Sequence, residues 1–357
     1  MDTQPSHACQ HRYPPLQSHA HGWLEVGDGH QIYWEESGNP AAPAALFVHG
    51  GPGAGCTPHD RRWFDPSRWR IVLFDQRGAG RSRPLGRLVA NRTDALVSDM
   101  ELLRQHLRLN SWLLFGGSWG ATLALAYAQQ HPSRVQALVL RGIFTATASE
   151  QRWLYSAQGA AQQQPTDWQR LTATLPTLAQ THLPWAMAAR LHGGDAGAEN
   201  AAAQAWLQWE QDLMRHEMPS VRPGPQRAVD DAGLAMARIG VHFACHAFFL
   251  AEGQLLARAA RLHAVPGTLV QGELDRVTPP HAALALHRAW RGSQLLRAES
   301  AGHASSHPAL AALLIQATDH FSVPAVRPWA PPAHTAATLS DPPPPSWSAH
   351  GKDQFQR

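Results

Sequence analysis

Cysteine is nearly missing from this chain of 357 residues: only Cys9, Cys56 and Cys245 occur, an odd number at unrelated spacings. That excludes a disulfide framework and a zinc-finger spacing, and it points to a reducing cytoplasm. Charge is also sparse, with a formal net charge of +3 and a pI near 9.0 carried by dispersed arginines. Without a basic stripe interleaved with aromatics, nucleic acid is not an expected partner. No apolar run is long enough to cross a bilayer, and the start MDTQPSHACQHRYPP lacks the features of a signal peptide, so a soluble protein away from membranes is expected. No internal repeat is visible, and oligomeric state is not legible.

What is present is an alternation of helix-like and strand-like segments, the pattern of an α/β fold. Residues 1–20 are rich in His, Gln and Pro without periodicity and read as a disordered extension. The irregular spacing of His7, Cys9, His11, His19 and His21 argues against a metal site there. Two alternating strands around the turn GDG follow, from Trp23 to Glu36. Ala44 to Val48, Arg70 to Phe74, Ser111 to Phe115 and Val135 to Leu140 are continuous apolar runs, as parallel strands covered on both faces require. From Thr145 to Ile239 no buried strand is evident, and the segment reads as inserted helices. Strand character returns at Gly267 to Gln271 and Gln294 to Arg297. The expected division is a core of 21–145 and 245–322, a helical cap of 146–244 and a Pro-rich disordered tail of 323–357.

The chemistry centres on GGSWG. Gly116, Ser118 and Gly120 form GxSxG between an apolar strand and a helix-forming segment, where small residues let a strained turn lift a serine hydroxyl clear of the sheet. A serine needs a base, and the base needs an acid to fix its tautomer. Asp275 in QGELDRVTPP and His303 in ESAGHASSHP each follow a predicted strand, in the order the elbow requires. Glu273, His307, His263, His281 and His287 are their rivals. Oxyanion donors are expected from the backbone NH groups of Trp119, next after the serine, and of Gly51 in HGGPG. Asp75, Arg77 and Ser82 in DQRGAGRS read as bracing for the rim, and Cys56, just past the oxyanion loop, reads as a point of thiol sensitivity.

HGGPGAG, DQRGAGRS, GGSWGATLALAYAQQHP and LVLRGIF, in this order, resemble the proline iminopeptidases of the α/β-hydrolase fold. The resemblance runs from about Trp23 to Phe144 and returns around AWLQWE, GELD and AGH. It implies a mostly parallel sheet with helices on both faces and an inserted helical cap, and a cytoplasmic serine aminopeptidase without cofactor or metal. Such an enzyme removes N-terminal proline from short peptides. It implies Ser118, Asp275 and His303 as the triad, Glu210 as an acid holding the substrate's amino group, and Arg141 and Phe144 as residues that support the acids and line the proline pocket. The chain departs from the family pattern at Gly240, where a second glutamate is usual, at Ala244, where an aromatic is usual, and at Leu154, where one ring of a pair is lost. Asp230, Asp231 and Glu252 are the candidates to replace the missing acid. The alternatives are an esterase or amidase for small uncharged acyl groups, and a non-catalytic binding protein that retains the fold.

Overall fold

Eight strands form one sheet in the order β1-β2-β4-β3-β5-β6-β7-β8. The computed structural model describes residues 12–215 and 229–322. The hairpin β1 (Ala20–Glu25) and β2 (Gln31–Gly38) is antiparallel, and β2 runs antiparallel to β4 (Arg70–Asp75). From β3 (Ala44–Val48) through β5 (Trp112–Ser118), β6 (Val135–Ile143), β7 (Gly267–Gly272) and β8 (Ser293–Ala298), every pairing is parallel. The continuous apolar runs are the strands nearest the centre. Leu46, Val72, Leu114 and Leu138 are fully buried there, because both faces of the sheet are covered.

Helix α1 (Thr93–His106) packs on α2 (Trp119–Gln130), which lies along β5 and β6 and ends before Pro132. Among the described residues, β6 is followed without a strand by α3 (Ala148–Tyr155), α4 (Pro165–Thr172), α5 (Leu183–Leu191), α6 (Ala196–Arg215) and α7 (Asp231–Cys245). Helices α4 to α7 pack mainly on one another, with Trp168 edge-on to Trp209 at 5.5 Å. Helix α7 also reaches the start of α2, where Phe243 meets Trp119 edge-to-face at 4.8 Å. After α8 (Gln254–Ala257) the chain re-enters the sheet, and α9 (His281–Ala289) and α10 (Pro308–Phe321) complete it. Helix α10 packs with the two-turn 3-10 segment Pro58–Trp63, whereas α9 sits with α8, giving two groups of helices around the sheet.

The expectation of a disordered segment over 1–20 is corrected from residue 12 onward. Tyr13 donates its hydroxyl to Asp319 at 2.7 Å, Arg62 donates to the Tyr13 carbonyl at 2.6 Å, and Arg61 donates to the Leu16 carbonyl at 2.9 Å. The guanidinium of Arg12 lies 3.8 Å from the ring centre of Trp63. Polar residues that lack periodicity are thus fixed by partners from distant parts of the chain. The expected extension before Arg12 and the expected tail over 323–357 lie outside the described residues. Among the described residues, no single helix is long and apolar enough to cross a membrane.

Candidate active site

Ser118 ends β5 and caps α2 with φ 57° and ψ −127°. That conformation belongs to the first central position of a type II′ turn, where glycine is favoured, and a serine held there is strained by roughly 1–3 kcal/mol. Close packing enforces it. A Cβ at Gly116 would lie 2.4 Å from the Gly120 carbonyl oxygen, and one at Gly120 would lie 2.1 Å from the Val48 carbonyl oxygen. The GxSxG spacing is therefore a steric requirement of the turn.

The expected acid and histidine meet. Asp275 Oδ2 lies 2.8 Å from His303 Nδ1, and both residues are buried. Asp275 Oδ1 accepts from the NH groups of Val277 and Thr278, and Oδ2 accepts from the Thr278 hydroxyl and the Gln271 amide. Burial alone would raise this carboxyl, but the charge and hydrogen bond of His303 with the other donors outweigh it and hold it below the ordinary range. The ionised acid fixes the proton on Nδ1 of His303, which leaves Nε2 as the ring nitrogen able to take a proton.

Strand β6 joins this pair to the elbow. Its Ile143 is in register with Ser118 and its Arg141 with Gly117, so Gly142 runs beside the serine. A Cβ on Gly142 would lie 2.9 Å from His303 Cε1 and 3.2 Å from Thr278 Oγ1. With φ 54°, Gly142 lets the imidazole settle on bare backbone. Arg141 donates to the His303 carbonyl at 2.6 Å and packs against Gly117. Arg141 thus backs the histidine loop with its charge felt at Glu210, while Phe144 lines the cleft.

Gly51, with φ 111°, faces the same cleft as Ser118 and Trp119. As the first residue of α2, Trp119 has a backbone NH without an intrahelical acceptor. A buried relay links Trp119 to His49, two residues before Gly51. Trp119 Nε1 donates to Gln76 Oε1 at 2.8 Å, and Gln76 Nε2 donates to the His49 carbonyl at 2.8 Å. The Gln76 backbone NH donates to His49 Nε2 at 2.9 Å. Burial pushes the His49 imidazole down in pKa, as suits a neutral ring that accepts at Nε2. Asp75, Arg77 and Ser82 brace the loop as expected. Asp75 accepts from the NH groups of Cys56 and Arg81, Arg77 clasps Asp99 at 2.7 and 2.8 Å, and Ser82 bonds the Asp75 carbonyl.

The cleft is closed above by the inserted helices. Trp206, Trp209, Glu210 and Leu213, at the spacing of one helix face, line it from α6. Leu154 and Tyr155 line it from α3, with Tyr155 stacked on Trp206 at 5.0 Å. Among the described residues the Glu210 carboxylate has neither a hydrogen bond nor an ion pair. Burial raises its pKa, with His303 and Arg141 pulling the other way. Gly240 faces this wall, where a Cβ would lie 3.1 Å from Trp206 Nε1. None of the suggested substitute acids lines the cleft. Asp230 caps α7 by accepting from Gly233 NH, Glu252 accepts from Ala148 NH at the start of α3, and Asp231 lies at the α7 terminus. Among the rivals for the acid and base, Glu273 pairs with Arg297 at 2.7 Å and His287 bonds Ser293. A wider depression lined by Trp153, Glu273 and Arg276 touches Asp275 but neither Ser118 nor His303.

Cys56 donates to the Phe74 carbonyl, and burial with the nearby Asp75 charge pushes its thiol well up in pKa. Cys245 is pushed up by burial to about 11. Since the thiolate is the reactive form, the thiol sensitivity expected at Cys56 is suppressed near neutral pH. Iodoacetamide at pH 7 should leave Cys56 and Cys245 unmodified by peptide mapping and the turnover unchanged, and rapid alkylation of Cys56 would contradict this environment.

Residues 43–309 match the family described as the alpha/beta hydrolase fold. A proline iminopeptidase of Arabidopsis thaliana is 42% identical over 310 residues, covering 86% of this chain and 81% of its own. Another, from Neisseria meningitidis, is 42% identical over 301 residues, covering 84% of this chain and 94% of its own. The solved structure of a proline iminopeptidase-related protein from Thermus thermophilus shares the fold with a TM-score of 0.54, at 21% identity, over 86% of this chain and 99% of its own. A strained serine between strand and helix, a buried acid–histidine pair and close relatives over most of both lengths lead to one assignment: this chain belongs to the proline iminopeptidase family of α/β-hydrolases.

Proposed function

We propose that the protein is a serine aminopeptidase that releases N-terminal proline, or a similar small residue, from short peptides. Ser118 attacks the carbonyl while His303 Nε2 takes its proton, and the NH groups of Gly51 and Trp119 hold the oxyanion. Collapse of the intermediate passes that proton to the leaving amine and leaves the residue as an ester on Ser118. Water, deprotonated by His303, then frees the acid and restores the serine. Asp275 keeps the imidazole oriented and stabilises its charged form. Residues 146–244 serve as the cap that closes over the substrate, and the scarcity of cysteine supports a cytoplasmic site of action.

The observation that carries the specificity is Glu210, a carboxylate without a partner among the described residues, in the cleft that holds Ser118. A protonated substrate amine satisfies it with a charge-assisted hydrogen bond, worth about 1.5–3 kcal/mol. Glu210→Gln should therefore lower kcat/KM for proline β-naphthylamide by about 10- to 150-fold and change ester hydrolysis far less. Because the folded pKa of this acid is raised, its stabilising contribution is present at low pH and is lost as pH rises through the folded value. The same variant should thus melt higher than the parent at neutral pH. Equal losses on amine and ester substrates would sink the assigned role. Gly240, which leaves Glu210 without a second acid at that wall, favours as second reading an esterase for uncharged acyl groups.

A further inference from the structure

Three consecutive residues without glycine's freedom, Ala247, Phe248 and Phe249, have φ values of 49°, 55° and 53°. For a bulky aromatic this backbone is a genuine outlier, and such strain persists only where surrounding contacts impose it. At Phe248 they do. The Thr93 hydroxyl of α1 donates to the Phe248 carbonyl at 2.5 Å, and the Phe249 ring stacks on His246 at 4.9 Å and 8°. The result is a fully enclosed Phe248 ring, 2% exposed, edge-on to Phe144 at 4.8 Å and 5.7 Å from Trp119, forming part of the cleft wall that includes Ser118.

The placement answers a gap in the sequence. Ala244, on the last turn of α7, carries a methyl where an aromatic is expected, and it does not line the cleft. Phe248 comes four residues later, past the helix end, and its ring reaches the cavity from the left-handed turn. We propose that Phe248, positioned by Thr93, sets the depth of the acyl pocket and restricts it to proline and residues of similar or smaller size. This rests on the cleft being the acyl site described above.

The test is the ratio of kcat/KM for proline β-naphthylamide to that for leucine β-naphthylamide. Phe248→Ala should shift that ratio toward leucine by about tenfold or more, as a few methylenes of pocket space allow. Thr93→Val, which removes only the anchor, should shift it in the same direction by a smaller factor. Fluorophosphonate labelling identifies variants that still carry a reactive serine, and Phe248→Leu replaces the alanine variant if the latter does not fold. Parallel losses on both substrates, with an unchanged ratio, would reduce Phe248 to core packing and overturn the proposal. If the parent enzyme cleaves no aminoacyl naphthylamide, the aminopeptidase reading fails on its own. The pocket is then tested by the ratio of acetyl to octanoyl p-nitrophenyl esters, where the same shift toward the longer acyl group is expected and an unchanged ratio refutes it.

Discussion

Ser118→Ala should lower kcat by about 10^6-fold, since a triad loses most of its effect when the nucleophile is removed. The residual rate then reflects binding and the oxyanion donors alone. The strained elbow adds a second expectation that an unstrained serine would not. Alanine keeps the Cβ and keeps the strain, so its melting temperature should stay near that of the parent. Ser118→Gly, at φ 57° and ψ −127°, removes the steric conflict and should stabilise the fold by about 1 kcal/mol after the entropic cost of glycine. Equal stabilities for the glycine and alanine variants, measured by thermal unfolding, would show that the turn is relaxed.

Asp275→Asn should lower kcat by about 10^4-fold with little change in KM. The reason lies in which oxygen faces which donor. Oδ1 receives two backbone NH groups, from Val277 and Thr278, that cannot turn away. The amide oxygen of an asparagine must take that place, and its NH2 then faces His303 Nδ1. To accept that hydrogen, Nδ1 must lose its own, which moves the ring proton to Nε2, where it blocks proton transfer from Ser118. A pH effect on stability accompanies the kinetic one. The folded pKa of Asp275 is depressed, so its contribution is present above the ordinary carboxylate range and is lost as pH falls through the folded value. The asparagine variant should show a weaker loss of stability in acid. A kcat reduction below about tenfold would mean that His303 keeps its tautomer without this carboxylate.

Sequence reveals most where local sterics or burial dictate residue type. The central strands are legible because parallel strands covered on both faces must be apolar throughout, and the elbow because Gly116 and Gly120 have no room for a Cβ. Asp275 and His303 are legible as loop residues after strands. The residues that hold them are not, since Gln271, Thr278 and Gly142 matter only through contacts made across the sheet. Glu210 is an acid on a helix until the fold encloses it, and only family resemblance singles it out. Phe248 could not be found locally, because a phenylalanine in left-handed backbone opposes its own preference. The docking of Tyr13 on Asp319 spans 306 residues and has no local signal.

An aminopeptidase must read a free amine beside a reactive Ser118. The decisive measurement is kcat/KM for proline β-naphthylamide against N-acetyl-proline β-naphthylamide on the same enzyme, with Ser118→Ala as blank. The free-amine substrate should be preferred by at least about tenfold, the lower end of a charge-assisted bond to Glu210. Equal or faster cleavage of the acetylated substrate, with the blank inactive, would leave a serine hydrolase but contradict the aminopeptidase.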